Sequence, residues 1–149
     1  MLGALNAVTL EVITVCNTSY IDSWSVIELL FKLRQQRKEA VPITLILDNA
    51  PYQTCWLVRG AAKLMSIELL FLPPYSPNLN LIERLWKFVR KKCCHTSSYG
   101  TFQEFCEVLQ ECVEKGHISH SDELQSLMAW NFQTLQSPKT VAVRGKIAA

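Results

Sequence analysis

Asp48 and Glu83 are the residues whose type and setting could do chemistry. Asp48 follows the apolar run Ile43-Thr44-Leu45-Ile46-Leu47 and opens the turn Asp48-Asn49-Ala50-Pro51. Glu83 stands in the first turn of a helix. That helix follows a stiff loop containing Pro73, Pro74 and Pro77. Ligands of open α/β sheets bind beyond the carboxyl ends of strands, where Asp48 sits. A loop that returns the chain from a neighbouring parallel strand brings Glu83 to the same edge. Two carboxylates about 4 Å apart repel by roughly 4 kcal/mol at an effective dielectric near 20. A proton or a cation relieves that repulsion. Hard carboxylate oxygens suit Mg2+ or Mn2+, and such sites carry out in-line phosphoryl chemistry. Sites of this kind usually use a third carboxylate. Arg84, Lys87, Arg90, Lys91 and Lys92 crowd the Glu83 helix and could hold phosphates.

Each feature also has a plainer reading. Asp48 could only cap the next helix. Glu83 could be a solvated first-turn acid paired with Lys87 at i+4. The basic residues could be an ordinary wet helix face. Trp86 falls on the apolar stripe and reads as core, and Tyr75 reads as a loop anchor sooner than a base-stacking platform.

The elements that must position these groups are legible from periodicity. Residues 3–15 alternate loosely and predict one or two strands. A helix over 23–38 is capped by Asp22 or Ser23, with Trp24, Ile27, Leu30 and Phe31 on one face. The unbroken apolar run at 43–47 predicts a strand buried on both faces. Pro51 starts a helix over 52–65, and residues 67–72 form another strand. Strand, helix and strand in this order make a βαβ unit with parallel strands. A helix over 80–93 carries the stripe Leu81, Ile82, Leu85, Trp86 and Val89. Thr101 and Glu104 form a capping box for a further helix that Gly116 ends. A last helix is expected over 121–135.

The motif Leu47-Asp48-Asn49-Ala50-Pro51-Tyr52-Gln53, followed by Leu72-Pro73-Pro74-Tyr75-Ser76-Pro77-Asn78-Leu79-Asn80-Leu81-Ile82-Glu83-Arg84-Leu85-Trp86, resembles the catalytic core of IS630/Tc1-mariner transposases. Residues 49–82 separate the two acids, a gap of 34 that matches much of that superfamily. These are DDE endonucleases of α/β, RNase H-like fold, a mixed sheet flanked by helices. The resemblance implies that Asp48 is the second catalytic carboxylate and Glu83 the third. Together they would hold Mg2+ or Mn2+ for cleavage and joining of DNA at transposon ends. Asn49 and Asn80 would support the acids or form turns. Where many relatives carry a His after Asp-Asn-Ala, this chain has Tyr52-Gln53. The family's first strand and first catalytic Asp would lie upstream of residues 3–6. The expected fold is therefore incomplete, lacking the first strand, with residues 3–15 and 43–47 left with an open edge. Glu11 and Asp22 are poor substitutes for the missing Asp. The expected division is a partial catalytic domain over 1–95, a helical extension over 96–136 and a basic tail over 137–149.

Composition sets the outer limits. Apolar residues make up 49% of the 149, which excludes disorder as the main state. The net charge of +2 is too small for bulk attraction to DNA, so basic surface must come from clustering. No apolar run approaches the roughly 20 residues of a membrane span. Met1–Ala7 lacks a positive leader region. The expected location is cytoplasmic and nucleoid-associated, with free, buried thiols and no membrane partner. Zinc at Cys93, Cys94 and His95, or at His117 and His120, fits no standard spacing. The expected partners are transposon-end DNA and an amino-terminal transposase fragment or a second copy. The leading expectation is a transposase catalytic fragment that is inactive alone. The alternatives are a non-catalytic DNA- or transposase-binding regulator, a decayed remnant, or an unrelated α/β enzyme using Asp48 as a phosphate-site nucleophile.

Overall fold

The computed structural model describes residues 1–17, 20–37, 41–74, 79–93, 101–119, 122–123 and 126. Its elements run β1 (Leu2–Leu5), β2 (Val12–Val15), α1 (Ser23–Gln36), β3 (Ile43–Leu47), α2 (Pro51–Thr54), α3 (Trp56–Leu64), β4 (Ile67–Phe71), α4 (Leu81–Cys93) and α5 (Phe102–Ser119). The chain is mixed α/β. In place of one mixed sheet, the described residues form two sheets of two strands each. β1 pairs antiparallel with β2, and β3 pairs parallel with β4. The parallel pair with its helical crossover is the βαβ unit expected from the sequence.

Helix α1 holds the two sheets side by side. Its amino end is fixed by Asp22, whose carboxylate accepts the Ser25 amide at 2.9 Å. The Ser25 hydroxyl in turn accepts from the Asp22 amide, completing a reciprocal cap. These bonds favour the charged carboxylate, so Asp22 titrates below the ordinary Asp range. Val26 and Leu30 enter a core with Val58, Ala62 and Ile67 beneath the β3–β4 sheet. Leu29 enters a second core with Ala4, Ile13 and Val15 beneath the β1–β2 sheet. Serving two cores rotates the buried face from the one expected. Ser25, Val26, Leu29 and Leu30 are buried, while Trp24 and Phe31 are exposed.

The opposite face of β1–β2 is covered by α4 and α5. Leu85, Phe88, Val89 and Val113 form a third core, against which Leu5, Val12 and Trp86 pack. The stripe read from the sequence is right, with Phe88 added. Gly3 makes this approach possible. A Cβ at Gly3 would lie 2.9 Å from Trp86 Cζ2 and 3.0 Å from Cη2. Gly3→Val should therefore lower stability by about 1–3 kcal/mol, read as a lower urea midpoint with unchanged slope.

The sheet β3–β4 differs from expectation. Thr44 and Ile46 of β3 are exposed, as are their register partners Glu68 and Leu70 of β4. An unbroken apolar run suggested burial on both faces, but among the described residues helices cover one side only. The expected helix over 52–65 is broken at Cys55, whose extended backbone ends α2 and starts α3. Helix α5 has the expected Thr101–Glu104 capping box, but continues through Gly116 to Ser119. A glycine within a helix weakens it without having to end it.

The cysteines also depart from the free-thiol reading. Cys16, at the end of β2, is joined to Cys106 of α5, 90 residues away in sequence. Cys112 is disulfide-bonded as well, whereas Cys55 is free. Such pairing across the fold cannot be read from spacing. Cys94, His95 and His120 lie outside the described residues, and the Cys93 and His117 side chains are not described. Tyr75 to Asn78, most of the expected last helix and the basic tail are also outside. No described helix is long and apolar enough to cross a membrane.

Candidate functional site

Asp48 is the first residue beyond β3, at the carboxyl end of a parallel strand. Its loop is pinned on both sides. The Leu72 amide donates to the Leu47 carbonyl at 2.9 Å, extending the β3–β4 ladder past the strand ends. The Asn49 side-chain amide donates to the Leu72 carbonyl. Pro51 then opens α2, with the Gln53 amide donating to the Ala50 carbonyl at 2.9 Å. At the far end of β4, the Arg59 guanidinium lies 4.7 Å from the Phe71 ring centroid. That cation–π contact fastens α3 to β4 behind the Asp48 loop.

Asn80 connects the two halves of the site. It is buried and directly precedes α4. Its Nδ2 donates to Asp48 Oδ1 at 2.8 Å. Its Oδ1 accepts from the Ile82 amide at 3.3 Å, and its carbonyl accepts from the Glu83 amide at 3.2 Å. One side chain therefore holds the Asp48 carboxylate and caps the helix turn that carries Glu83. Capping is favourable because the first helical amides have no partner within the helix. Asp48 and Glu83 line one cavity of about 1020 Å³. Both acids are half-buried. Among the described residues Glu83 forms no ion pair, so the plain Glu83–Lys87 pairing is not the arrangement found.

The other upstream acids are engaged elsewhere. Glu11 also lines the cavity, but its Oε2 is 2.7 Å from Arg37 Nη2 and accepts the Thr9 hydroxyl. Asp22 is spent on the α1 cap. No group of three potential ligands among His, Cys, Asp and Glu occurs among the described residues. The donor pair present, two carboxylates lining one cavity, is the hard oxygen chemistry that Mg2+ or Mn2+ takes.

The basic residues separate into kinds. Lys87, Arg90 and Lys91 are exposed. At about 100° per residue they fall with Glu83 on one side of α4. Arg84 is half-buried and has partners of its own. The Lys92 side chain is not described.

Sequence reading missed Gln53 as anything but a departure from a pattern. Gln53 is 6% exposed and lines the cavity, and its Oε1 has no hydrogen-bond partner among the described residues. The available signal was a glutamine in a short, otherwise ordinary turn, which does not reveal burial.

A family described as "DDE superfamily endonuclease" matches residues 1–106. An uncharacterized protein of Sinorhizobium fredii, y4pE/y4sA, is 31% identical over 94 residues. That similarity covers 62% of this chain and 64% of the relative.

Proposed function

The chain belongs to the DDE superfamily endonucleases, and from that premise we propose that it is the carboxylate-bearing part of an IS630/Tc1-mariner-type transposase with RNase H-like topology. Its substrate is DNA at transposon ends, which the assembled enzyme cleaves and joins. The observation that carries this reading is the Asn80 link, which ties Asp48 to the helix turn of Glu83 at a cavity that both acids line.

Asp48 and Glu83 are the residues that would hold Mg2+ or Mn2+. A divalent metal bound there would activate the attacking oxygen and stabilise charge at the leaving one. The protein contributes orientation. Asn80 fixes one carboxylate oxygen of Asp48 by donating to it, and Asn49 fixes the loop. Lys87, Arg90 and Lys91, with Arg84 and Lys92, contact the phosphate backbone along α4, which positions DNA without reading its sequence. Glu11 and Asp22 are committed to other partners and do not supply the third carboxylate. The chain alone is inert as a nuclease. Incubation with Mn2+ and labelled duplex from the DNA flanking its own gene tests this. No cleavage by the chain alone is expected, and turnover abolished by Asp48→Ala would refute that inertness.

Asn80→Ala should reduce Mn2+-dependent activity of the assembled enzyme by about 10- to 100-fold, the scale of losing an outer partner of a metal ligand. It should also cost about 1 kcal/mol of stability through the lost helix cap. Metal titration and thermal melting of the same variant separate the two effects.

A second reading follows from the engaged Glu11: a regulator that binds DNA or a transposase and never cuts. Salt-dependent DNA binding that ignores both Mg2+ and Glu83→Ala, with no cleavage in any assembly, would select it.

A further inference from the structure

Helices α1 and α3 lie side by side, parallel and in register. At their amino ends the Cys55 thiol donates to the Ser23 hydroxyl at 3.2 Å. At their carboxyl ends the Arg34 guanidinium donates to the Ser66 carbonyl at 2.9 Å. Both contacts join residues 32 apart in sequence, so Trp24 stands level with Trp56, Glu28 with Gly60, and Phe31 with Lys63. The inner sides of the two helices share the core under β3–β4. At about 100° per residue, Trp24, Glu28 and Phe31 fall on the outer side of α1, and Trp56, Gly60, Lys63 and Leu64 on the outer side of α3. Trp24, Phe31, Trp56 and Leu64 are 67%, 52%, 79% and 89% exposed.

Gly60 is not accounted for by the fold. It lies in the interior of α3, where glycine is weaker than alanine. Its φ is not positive, and a Cβ there would meet nothing within 4 Å. The missing side chain leaves a notch on the outer side, with Trp56 and Leu64 one turn to either side. Charge around the notch has one sign. Arg59 and Lys63 flank it, and α3 carries no acid. Among the described residues Lys63 has no ion pair. Glu28, level with the notch on α1, is exposed and pairs within its own helix, with Lys32 at 3.1 Å.

We infer that this outer face binds the same face of a second copy of the chain, about a two-fold axis running along the helices between α1 and α3. That rotation preserves height along the helices and lays α1 of one protomer over α3 of its partner. Each contact then occurs twice. Trp24 meets Trp56, Glu28 enters the Gly60 notch between Arg59 and Lys63, and Phe31 meets Leu64. A two-fold across the helices would set α3 on α3 and bring its cations against their own kind, which is repulsive. A nucleic acid would find Glu28 at the centre of the face. At roughly 150–250 Å² per aromatic side chain, the exposed parts of the two Trp and Phe31 come to roughly 400 Å². Leu64 and the charged rim carry the face toward the roughly 800 Å² per partner of a specific interface. None of these residues lines the cavity of Asp48 and Glu83, so the inference does not rest on the catalytic reading.

Sedimentation equilibrium of the full chain should show monomers and dimers, half-dissociated at about 10 µM. Trp24→Ala should weaken the dimer at least about tenfold, as expected for a central aromatic anchor. Gly60→Leu should move two readouts in opposite directions. The dilute monomer should melt about 2–5 °C higher through better helix propensity, while the dimer weakens at least about tenfold. Glu28→Lys and Lys63→Glu should each weaken the dimer about 3- to 10-fold, and the double variant should return to within about threefold of the parent. Melting at about 1 µM, where mass action keeps the chain monomeric, checks each fold, and Trp24→Ala should melt there like the parent. A chain monomeric up to about 200 µM, a dimer indifferent to Trp24→Ala and Gly60→Leu, or charge reversals that do not rescue each other would overturn the inference. Duplex DNA that binds the monomer and is released by Lys63→Glu would assign the face to nucleic acid instead.

Discussion

Asp48→Ala is expected to lower metal-dependent DNA cleavage by the assembled enzyme by about 10³- to 10⁴-fold, the scale on which one member of a cooperating catalytic set is lost. The loss should be chemical and not structural. Asp48 is half-buried, and its one described side-chain contact is the Asn80 amide. Removing the carboxylate opens that amide to the cavity that both residues line, where water can take the carboxylate's place, so the melting temperature should change little. Asp48→Asn sharpens the test. It keeps an oxygen for Asn80 to donate to, while removing the negative charge that a divalent cation needs. The two variants should be equally inactive in cleavage, with Asp48→Asn melting like the parent. Retained cleavage in Asp48→Asn would show that the residue holds the turn and no metal. Parallel loss of melting temperature and activity would assign the effect to folding.

Leu30→Ala should cost about 2–5 kcal/mol, the range for removing a buried leucine and leaving a cavity. Leu30 is fully buried and lies at the centre of the core shared with Val26, Val58, Ala62 and Ile67. A typical domain is stable by only about 5–15 kcal/mol, so this is a large fraction of the total. The position matters more than the number. The two sheets are not hydrogen-bonded to each other among the described residues, and α1 is a layer common to both. Loosening α1 should therefore uncouple them. Leu30→Ala should lower the denaturant midpoint and speed amide exchange in β3 and β4. Trp24→Ala, on the same helix but exposed, should leave both within error. A Leu30→Ala chain with parent-like stability would show that α1 does not fasten the β3–β4 sheet.

The site was legible in the sequence because its signals are local. Asp48 follows an apolar run at a proline-marked turn, and a capped helix returns with Glu83. The βαβ unit was likewise legible, since short apolar strands around a helix have few compact arrangements. The burial of β3 was not. Its apolar run reads as doubly covered, but Ile46 and Leu70 are 45% and 50% exposed because described helices pack one face only. The face of α1 was misread for a related reason. A single-core periodicity selects Trp24 and Phe31 with Ile27 and Leu30, whereas two cores keep Ile27 and Leu30 and add Val26 and Leu29. Nor could spacing reveal that Cys16 meets Cys106, since that contact joins elements far apart in the chain.

By itself the sequence determined which residues carry charge chemistry and which elements they end: Asp48 after a strand, Glu83 in a helix turn, a basic stripe behind it. These follow from propensity, capping and periodicity, which act over a few residues. Only the tertiary structure decided that Asn80 holds Asp48 and caps the Glu83 helix at once, and that Gln53 keeps a buried acceptor unpaired. Those are relations between segments tens of residues apart. They are set by which faces α1 can bury together, and by which polar groups remain unpaired when it has done so.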